Sequence, residues 1–574
     1  MRPSRRLVFL VLFLAGAGLR AVDLWHPVDG TVRESWRECD MASIARNYYR
    51  EDPRFLYPRI DWRGTGPGYV EMELPVTPWA TSVLYRVFGL HEVAGRVLVY
   101  AFALLTLVVF FRLALYLLPP NGAVAASLFF ALSPLAVRIS NTLQPEGLMF
   151  LTYILAVLAF IRWLDTGRWR DYALTATTTA FTILAKANTA HIGILFAILL
   201  LRRDGWTAFR RVRVWALALL SLAPPLLWYA YARGFWIHYG NSLGLSNEYH
   251  WIGWDFFTDP SFIRGIVISD LFYVWMPAGV LVALFGVIMR FRERSTQIAL
   301  TWLAAVFAFY VLASRSMGSP WALYYHVASV PSVALLFGVG TESLLSLSWR
   351  PRLAVAAPAV GAALIAVLAF IHRAHLELGF GAGERLPVAI AGTVVAFALL
   401  IVFARRRGAL VAADAAEPTP LAAKLVVLAM WFFVPLTLAL QLREVVNEAH
   451  PRQMQASYAC ARQFAPLIPP RTLILASGAN CAHADGTPVA YNAPFMFYWL
   501  DRKGFSVCNQ DQSLSTVAAF ARKGARFYVA AKGSLETQAG FEHALRATYP
   551  VVRECADWLL FDLSRQLERT GKAR

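Results

Sequence analysis

From residue 7 to residue 440 the chain alternates long apolar runs with short polar connections. Continuous apolar runs predict membrane-crossing helices, because backbone N–H and C=O groups in hydrocarbon must find partners inside their own segment. A membrane barrel would instead show short alternating strands. The runs fall at 7–24, 93–117, 122–140, 144–164, 171–185, 188–201, 212–231, 269–291, 296–314, 322–341, 351–371, 386–405 and 421–440, and predict about 13 transmembrane helices. Residues 171–201 are read as two short helices broken near Lys186-Ala187-Asn188. The arginine clusters at 162–170 and 202–213 can both be cytoplasmic only if the chain crosses twice between them. A basic start (Arg2, Arg5, Arg6) places the N-terminus inside, and thirteen crossings place the C-terminal region outside. No convincing small-x-small cleavage site precedes the acidic loop and more spans follow, so the first run is expected to stay as the first helix rather than leave as a signal peptide.

After Leu440 the pattern changes. Charged residues are spread through 442–574, with strands expected at 471–477, from Phe527 and from Trp558, and helices around 512–523 and 534–546. The expected organisation is a transmembrane domain over 1–441, with a first extracytoplasmic loop at 25–92 and a second at 232–268, followed by an extracytoplasmic α/β domain over 442–574.

Composition narrows the class. Of 574 residues, 58% are hydrophobic and only 16% charged, which excludes an ordinary soluble protein. The net charge of +18 would suggest a nucleic-acid partner in a soluble chain. Here much of the positive charge sits in short loops (Arg202, Arg203, Arg210, Arg211, Arg213; Arg290, Arg292, Arg294; Arg405, Arg406, Arg407) and reports topology instead. All five cysteines, Cys39, Cys460, Cys481, Cys508 and Cys555, fall on the expected outer side. The last four can pair in three ways there, with Cys39 free or linking the first loop to the final domain. No C-x-x-C is present to suggest redox or zinc chemistry.

The first loop carries the chemistry. It holds Glu38, Asp40, Glu71 and Glu73 where a lipid-borne substrate would meet a water-soluble one. Asp40 is expected to open a short amphipathic helix lying at the interface, with Met41, Ile44, Ala45 and Tyr48 at helical spacing. In isolation Asp40 and Glu73 each read as an ordinary cap or surface acid. A first-loop acid, the triplet Glu73-Leu74-Pro75, a Gly89-to-Arg96 entry to the next span and many spans ending in an external domain together resemble the C superfamily (GT-C) of membrane glycosyltransferases. Within it the resemblance is to the protein O-mannosyltransferase-like and aminoarabinose-transferase-like branch (glycosyltransferase families 39 and 83). It covers residues 1 to about 345 by motif. It implies a GT-C fold in a bacterial inner membrane, a polyprenyl-phosphate sugar donor, and catalytic acids at Asp40 and Glu73. Leu74 stands where that branch carries lysine.

A sugar phosphate on a lipid already has a leaving group. The site then needs a carboxylate to orient or deprotonate an acceptor and cations to hold the departing phosphate, with inversion following from single displacement. Donor-phosphate candidates at outer span ends are Arg96, Arg138, Lys186, Arg315 and His326, with Tyr325 beside His326 and Glu146 opening the fourth span after Gln144-Pro145. Acceptor-side candidates are Glu38, Glu71, His238 and His250, the histidines lying in an aromatic-rich second loop suited to sugar faces. No nucleotide-binding glycine signature is needed for such a donor, and metal use is left open. A divalent cation such as Mg2+ or Mn2+ at Asp40 and Glu73 is an open alternative without diagnostic ligand spacing. The expected partners are the lipid-linked donor, membrane lipids and an extracytoplasmic glycan, lipid or protein acceptor, with no nucleic acid. A transporter of lipid-linked saccharides should show paired polar breaks in two halves of the membrane domain, and no internal repeat is visible. A non-catalytic envelope assembly protein would have no need of Asp40 or Lys186.

Overall fold

The computed structural model describes residues 3–22, 24–30, 35–247, 260–312, 315–318, 320–346, 421–448, 454–483, 486, 488–491 and 494–566. Helices dominate its first part: α1 (Pro3–Ala21), α2 (Ser35–Arg50), α3 (Val76–Phe88), α4 (Val93–Leu117), α5 (Pro120–Leu132), α6 (Pro134–Arg138), α7 (Glu146–Thr166), α8 (Trp169–Ala185), α9 (Ile192–Asp204), α10 (Val212–Tyr239), α11 (Pro260–Ser269), α12 (Pro277–Arg290), α13 (Arg294–Leu312), α14 (Val330–Ser346) and α15 (Leu421–Glu448). Local chemistry sets many boundaries. Pro120, Pro134 and Pro277 stand in first turns, the Ser133 hydroxyl accepts from Ala136 N to cap α6, and Gly167 and Gly240 end α7 and α10 in the left-handed conformation.

The expectation of about 13 transmembrane helices is corrected. Among the described residues five helices are long and apolar enough to cross a membrane: Val93–Leu117, Glu146–Thr166, Val212–Tyr239, Arg294–Leu312 and Ala322–Ser346. A sixth is added if Gly265–Trp275 and Pro277–Arg290, bent by 82°, form one span. Breaks that hydropathy does not register explain part of the difference. The 13 residues of α5, cut off at Ser133 inside the expected run 122–140, reach only about 20 Å, against a hydrocarbon core of about 30 Å. The expected runs 351–371 and 386–405 lie outside the described residues. The parity argument for the C-terminal side falls with the count.

Among the described residues, protein encloses Ala322–Ser346 along nearly all its length and leaves most of Val212–Tyr239 uncovered. Close approach around α14 depends on glycine: a Cβ on Gly340 would lie 2.1 Å from the Val282 carbonyl oxygen, and one on Gly338 would lie 2.5 Å from that of Gly122.

The C-terminal part is α/β. Strands β1 (Leu473–Ser477), β2 (Lys503–Val507), β3 (Ala525–Ala531), β4 (Val551–Cys555) and β5 (Trp558–Asp562) form one sheet in the order β2-β1-β3-β5-β4. The pairs of β1 with β2 and β3 are parallel and the remaining two antiparallel. Strands β2 and β4 are absent from the sequence-based expectation. Both are edges, one carrying Gly504 and the other Arg553 and Glu554, so neither shows an apolar alternation. Disulfides join Cys460 to Cys555 and Cys481 to Cys508, and Cys39 is a buried free thiol.

This α/β part shares a core with the first loop. Cys39, Met41, Ile44, Ile60, Trp62 and Val70 pack with Phe464, Ile474, Met496, Phe497 and Trp558. Polar contacts reinforce the junction: Arg46 and Arg50 reach Asp501 at 3.0 and 2.7 Å, and Gly64 N donates to Gly504 O at 2.6 Å. Helix α2 therefore begins five residues before Asp40 and is buried on nearly every face rather than resting at an interface. Most of its polar side chains are paired: Glu38 with Arg96, Asp40 with Trp62, and Arg46 and Asn47 with Asp61.

Candidate active site

Helix α2 places Arg37 and Asp40 three residues apart, on one face. Opposite them, the extended segment carrying Glu73 is pinned by its backbone. Glu71 N donates to Asn241 O and Leu243 N to Glu71 O, the Trp228 indole donates to Met72 O, and Leu74 N donates to Leu184 O. Glu73 so anchored forms a buried ion pair with Arg37. The Leu74 side chain packs with Leu184, Trp228, Tyr229 and Ala232, so the middle of the triplet contributes apolar contact and no charge.

Helix α8 ends at Ala185, and the chain passes through extended Lys186 into the 3-10 turn Ala187–His191, the break expected from the sequence. This turn is held by the Thr189 hydroxyl donating to Lys186 O at 2.8 Å and His191 Nδ1 donating to Asn188 O at 2.7 Å. The break sends the Lys186 ammonium inward. It pairs with Glu146, the first residue of α7, and lies 3.6 Å from Glu73 Oε1. Tyr324 and Tyr325 place their rings 4.7 and 4.9 Å from the ammonium, a cation–π arrangement that favours the charged form in a desolvated site.

Asp40, on the Arg37 face of α2, is buried, with Oδ1 accepting from the Trp62 indole at 2.9 Å. Burial pushes its carboxyl up to about 7; the Trp62 hydrogen bond and the Arg37 charge oppose this, and Asp61 adds to it. Burial would raise Glu73 as well, but Arg37 and Lys186 outweigh it and hold that carboxyl below its usual range. Two neighbouring acids thus differ in protonation: Glu73 is a fixed anion and Asp40 takes up or releases a proton near neutrality.

The structure brings Glu73, Glu146, Lys186 and Tyr325 to one cluster, which Asp40 joins through Arg37, three residues before it on α2. Other sequence candidates have different partners. Arg96 grips Glu38 with two hydrogen bonds of 2.8 Å, and Glu38 Oε1 also accepts from Leu143 N at 2.9 Å. This pair is a buried strut between α2 and α4. Both ring nitrogens of His326 are engaged, Nδ1 with Asp270 Oδ1 at 2.7 Å and Nε2 with Met317 O at 2.9 Å. Glu71 Oε1 accepts from the Ser246 hydroxyl at 2.9 Å, and His238 is exposed, donating to Gly234 O. Arg138 is buried on α6, which packs against Pro320–Ser329. Arg315 begins the 3-10 turn Arg315–Gly318, and His250 lies outside the described residues.

Sequence reasoning missed Arg37 and Trp62. A signal for the first was present: Ser35-Trp36-Arg37-Glu38 has the S-x-x-E form of a helix start. Reading the helix from Ser35 puts Arg37 on the face of Asp40.

A divalent cation does not fit Asp40 and Glu73. The Glu73 carboxylate already faces two cations, and Asp40 alone offers too few oxygens. Among the described residues one group of three potential ligands occurs, Cys481, Cys508 and Asp511, with ligand atoms within 4.8 Å of one another. Its two sulfurs are joined to each other, so a metal there would require the reduced pair.

A family model described as dolichyl-phosphate-mannose-protein mannosyltransferase matches residues 72–228, a stretch that includes Glu73, Glu146 and Lys186. No curated protein matches the chain. Among solved structures, ArnT from Cupriavidus metallidurans bound to undecaprenyl phosphate is 17% identical, with a TM-score of 0.57 and coverage of 98% of both chains. The apo state of the same protein is 18% identical with a TM-score of 0.57, covering 96% of this chain and 97% of that one. The oligosaccharyltransferase AglB from Archaeoglobus fulgidus, in complex with an inhibitory peptide and a dolichol-phosphate, is 12% identical with a TM-score of 0.48, covering 96% and 73%. At such identities the likeness is one of fold.

Proposed function

We propose that this chain, whose fold is like that of ArnT and whose residues 72–228 match the mannosyltransferase model, is a GT-C-type transferase that moves a sugar from a polyprenyl-phosphate donor to an extracytoplasmic acceptor, with inversion at the anomeric carbon. The observation that carries this reading is the buried cluster itself. A carboxyl titrating near neutrality sits beside two cations already fixed by carboxylates, at the junction of the membrane helices with the first loop. The first loop and the α/β part then face the outside of a bacterial inner membrane.

In this mechanism the acceptor hydroxyl gives its proton to Asp40 as its oxygen attacks the anomeric carbon. The bond from that carbon to the phosphate oxygen breaks, and the lipid phosphate leaves with the bonding pair. Lys186 favours the charge that develops on it, Glu73 keeps Asp40 and the cations in register, and Tyr324 and Tyr325 offer aromatic faces to the sugar ring. Lipid, glycan and protein hydroxyls suit this chemistry equally. A phosphate acceptor would attack without needing the base.

Two measurements follow. Because the ionised form of Asp40 is the active one, kcat/KM in proteoliposomes should rise with pH through about 7, and Asp40→Asn should lack that limb; a pH-independent parent enzyme would remove Asp40 as base. The sign for stability is opposite. A carboxyl raised in the fold holds its proton more tightly than in the unfolded chain, so the stability contribution of Asp40 falls as pH rises from about 4 to about 7. Mass spectrometry of envelope lipids and glycans after deletion of the gene should show loss of one sugar-bearing species. An unchanged envelope under conditions where the protein is made would count against the reading.

A further inference from the structure

The hydrogen-bond account of Arg37 does not close within the protein. One terminal nitrogen pairs with Glu73 and the other reaches Leu243 O at 3.4 Å, while Nε is buried without a partner. A buried donor on a cation is costly to leave unsatisfied. Glu146 presents the opposite case: Lys186 occupies one oxygen, and Oε2 is buried without a partner. The two side chains lie close enough for Glu146, Tyr324 and Asp40 all to favour the charge on Arg37. One cluster thus holds an unused charged donor and an unused charged acceptor.

We propose that Arg37 binds the phosphate of the lipid-linked donor through its Nε–H, while Glu146 Oε2 accepts a hydroxyl of the attached sugar. The inference rests on the transferase reading and assigns its phosphate ligand. A sugar phosphate supplies both complements, an anionic oxygen for the guanidinium and a hydroxyl proton for the carboxylate, and Arg–phosphate hydrogen bonds are charge-assisted and directional. Glu73 holds the guanidinium in place before the donor arrives, so little side-chain order remains to be imposed on binding. The sequence-selected cations Arg96 and His326 are committed to Glu38 and Asp270, whereas Arg37 keeps a donor in reserve.

Undecaprenyl phosphate binding to the purified full-length chain in lipid nanodiscs tests this. Arg37→Lys keeps a positive charge for Glu73 but removes Nε, and should weaken binding about 10-fold or more with thermal unfolding close to that of the parent. The pair Arg37→Met with Glu73→Gln leaves no unpaired charge at that position and should weaken binding comparably, which guards against a folding failure of the single variant. Parent-like affinity in both would mean that water satisfies Nε, and would overturn the assignment while leaving the transferase reading intact. A parent protein that neither binds undecaprenyl phosphate nor consumes any lipid-linked sugar would overturn both.

Discussion

Replacing Asp40 by asparagine is expected to lower sugar transfer by about 10²-fold or more, the scale of a positioned general base. Asparagine nearly preserves the volume, and its oxygen can still accept the Trp62 hydrogen bond that orients Asp40, so the fold should persist while the basicity goes. Glu73→Gln should cost less in rate, because Glu73 acts through Arg37 and Lys186 rather than on the acceptor. The measurement is product formation by purified, correctly folded variants in lipid. Turnover near that of the parent in Asp40→Asn would reduce Asp40 to a structural residue and move the search to Glu146 and the 232–268 loop.

Arg96→Met is expected to destabilise the protein severely. Glu38 has no exposed surface and Arg96 only 1%, so removing the cation strands a carboxylate in the interior, a change worth about 3–5 kcal/mol. Adding Glu38→Gln should recover much of that loss, since the double variant buries no unpaired charge, although the glutamine must still accept from Leu143 N. Thermal unfolding of the two single variants and the double variant in the same detergent checks the coupling. If Arg96→Met unfolds like the parent but binds undecaprenyl phosphate poorly, Arg96 belongs to the phosphate site and the strut assignment is wrong.

What the sequence made legible is local. The break at Lys186, the acid opening α7 and the strands at 473–477 and 558–562 follow from charge, proline and alternation within a few residues. Cations were visible as cations, but their partners were not, because these come from distant segments: Glu38 for Arg96, Asp270 for His326, Glu73 for Arg37. A charge count could not separate an arginine neutralised by a buried carboxylate from one holding a donor in reserve. The span count failed for a related reason. Hydropathy averages over the breaks after Leu132 and Trp275, where short helices replace a continuous crossing. Helix α2 illustrates the converse error. Its amphipathic spacing suggested an interfacial position, and only the packing of the α/β part against it accounts for its burial.

Pooled polyprenyl-phosphate sugars and envelope acceptors, incubated with the purified chain in proteoliposomes and followed by lipid mass spectrometry, test the central claim most directly. The account predicts that one lipid-linked sugar disappears with matching release of free polyprenyl phosphate and a one-sugar mass gain on an acceptor, and that Asp40→Asn leaves that lipid intact. Persistence of every lipid-linked sugar in the presence of folded parent protein, or equal consumption by Asp40→Asn, would contradict it.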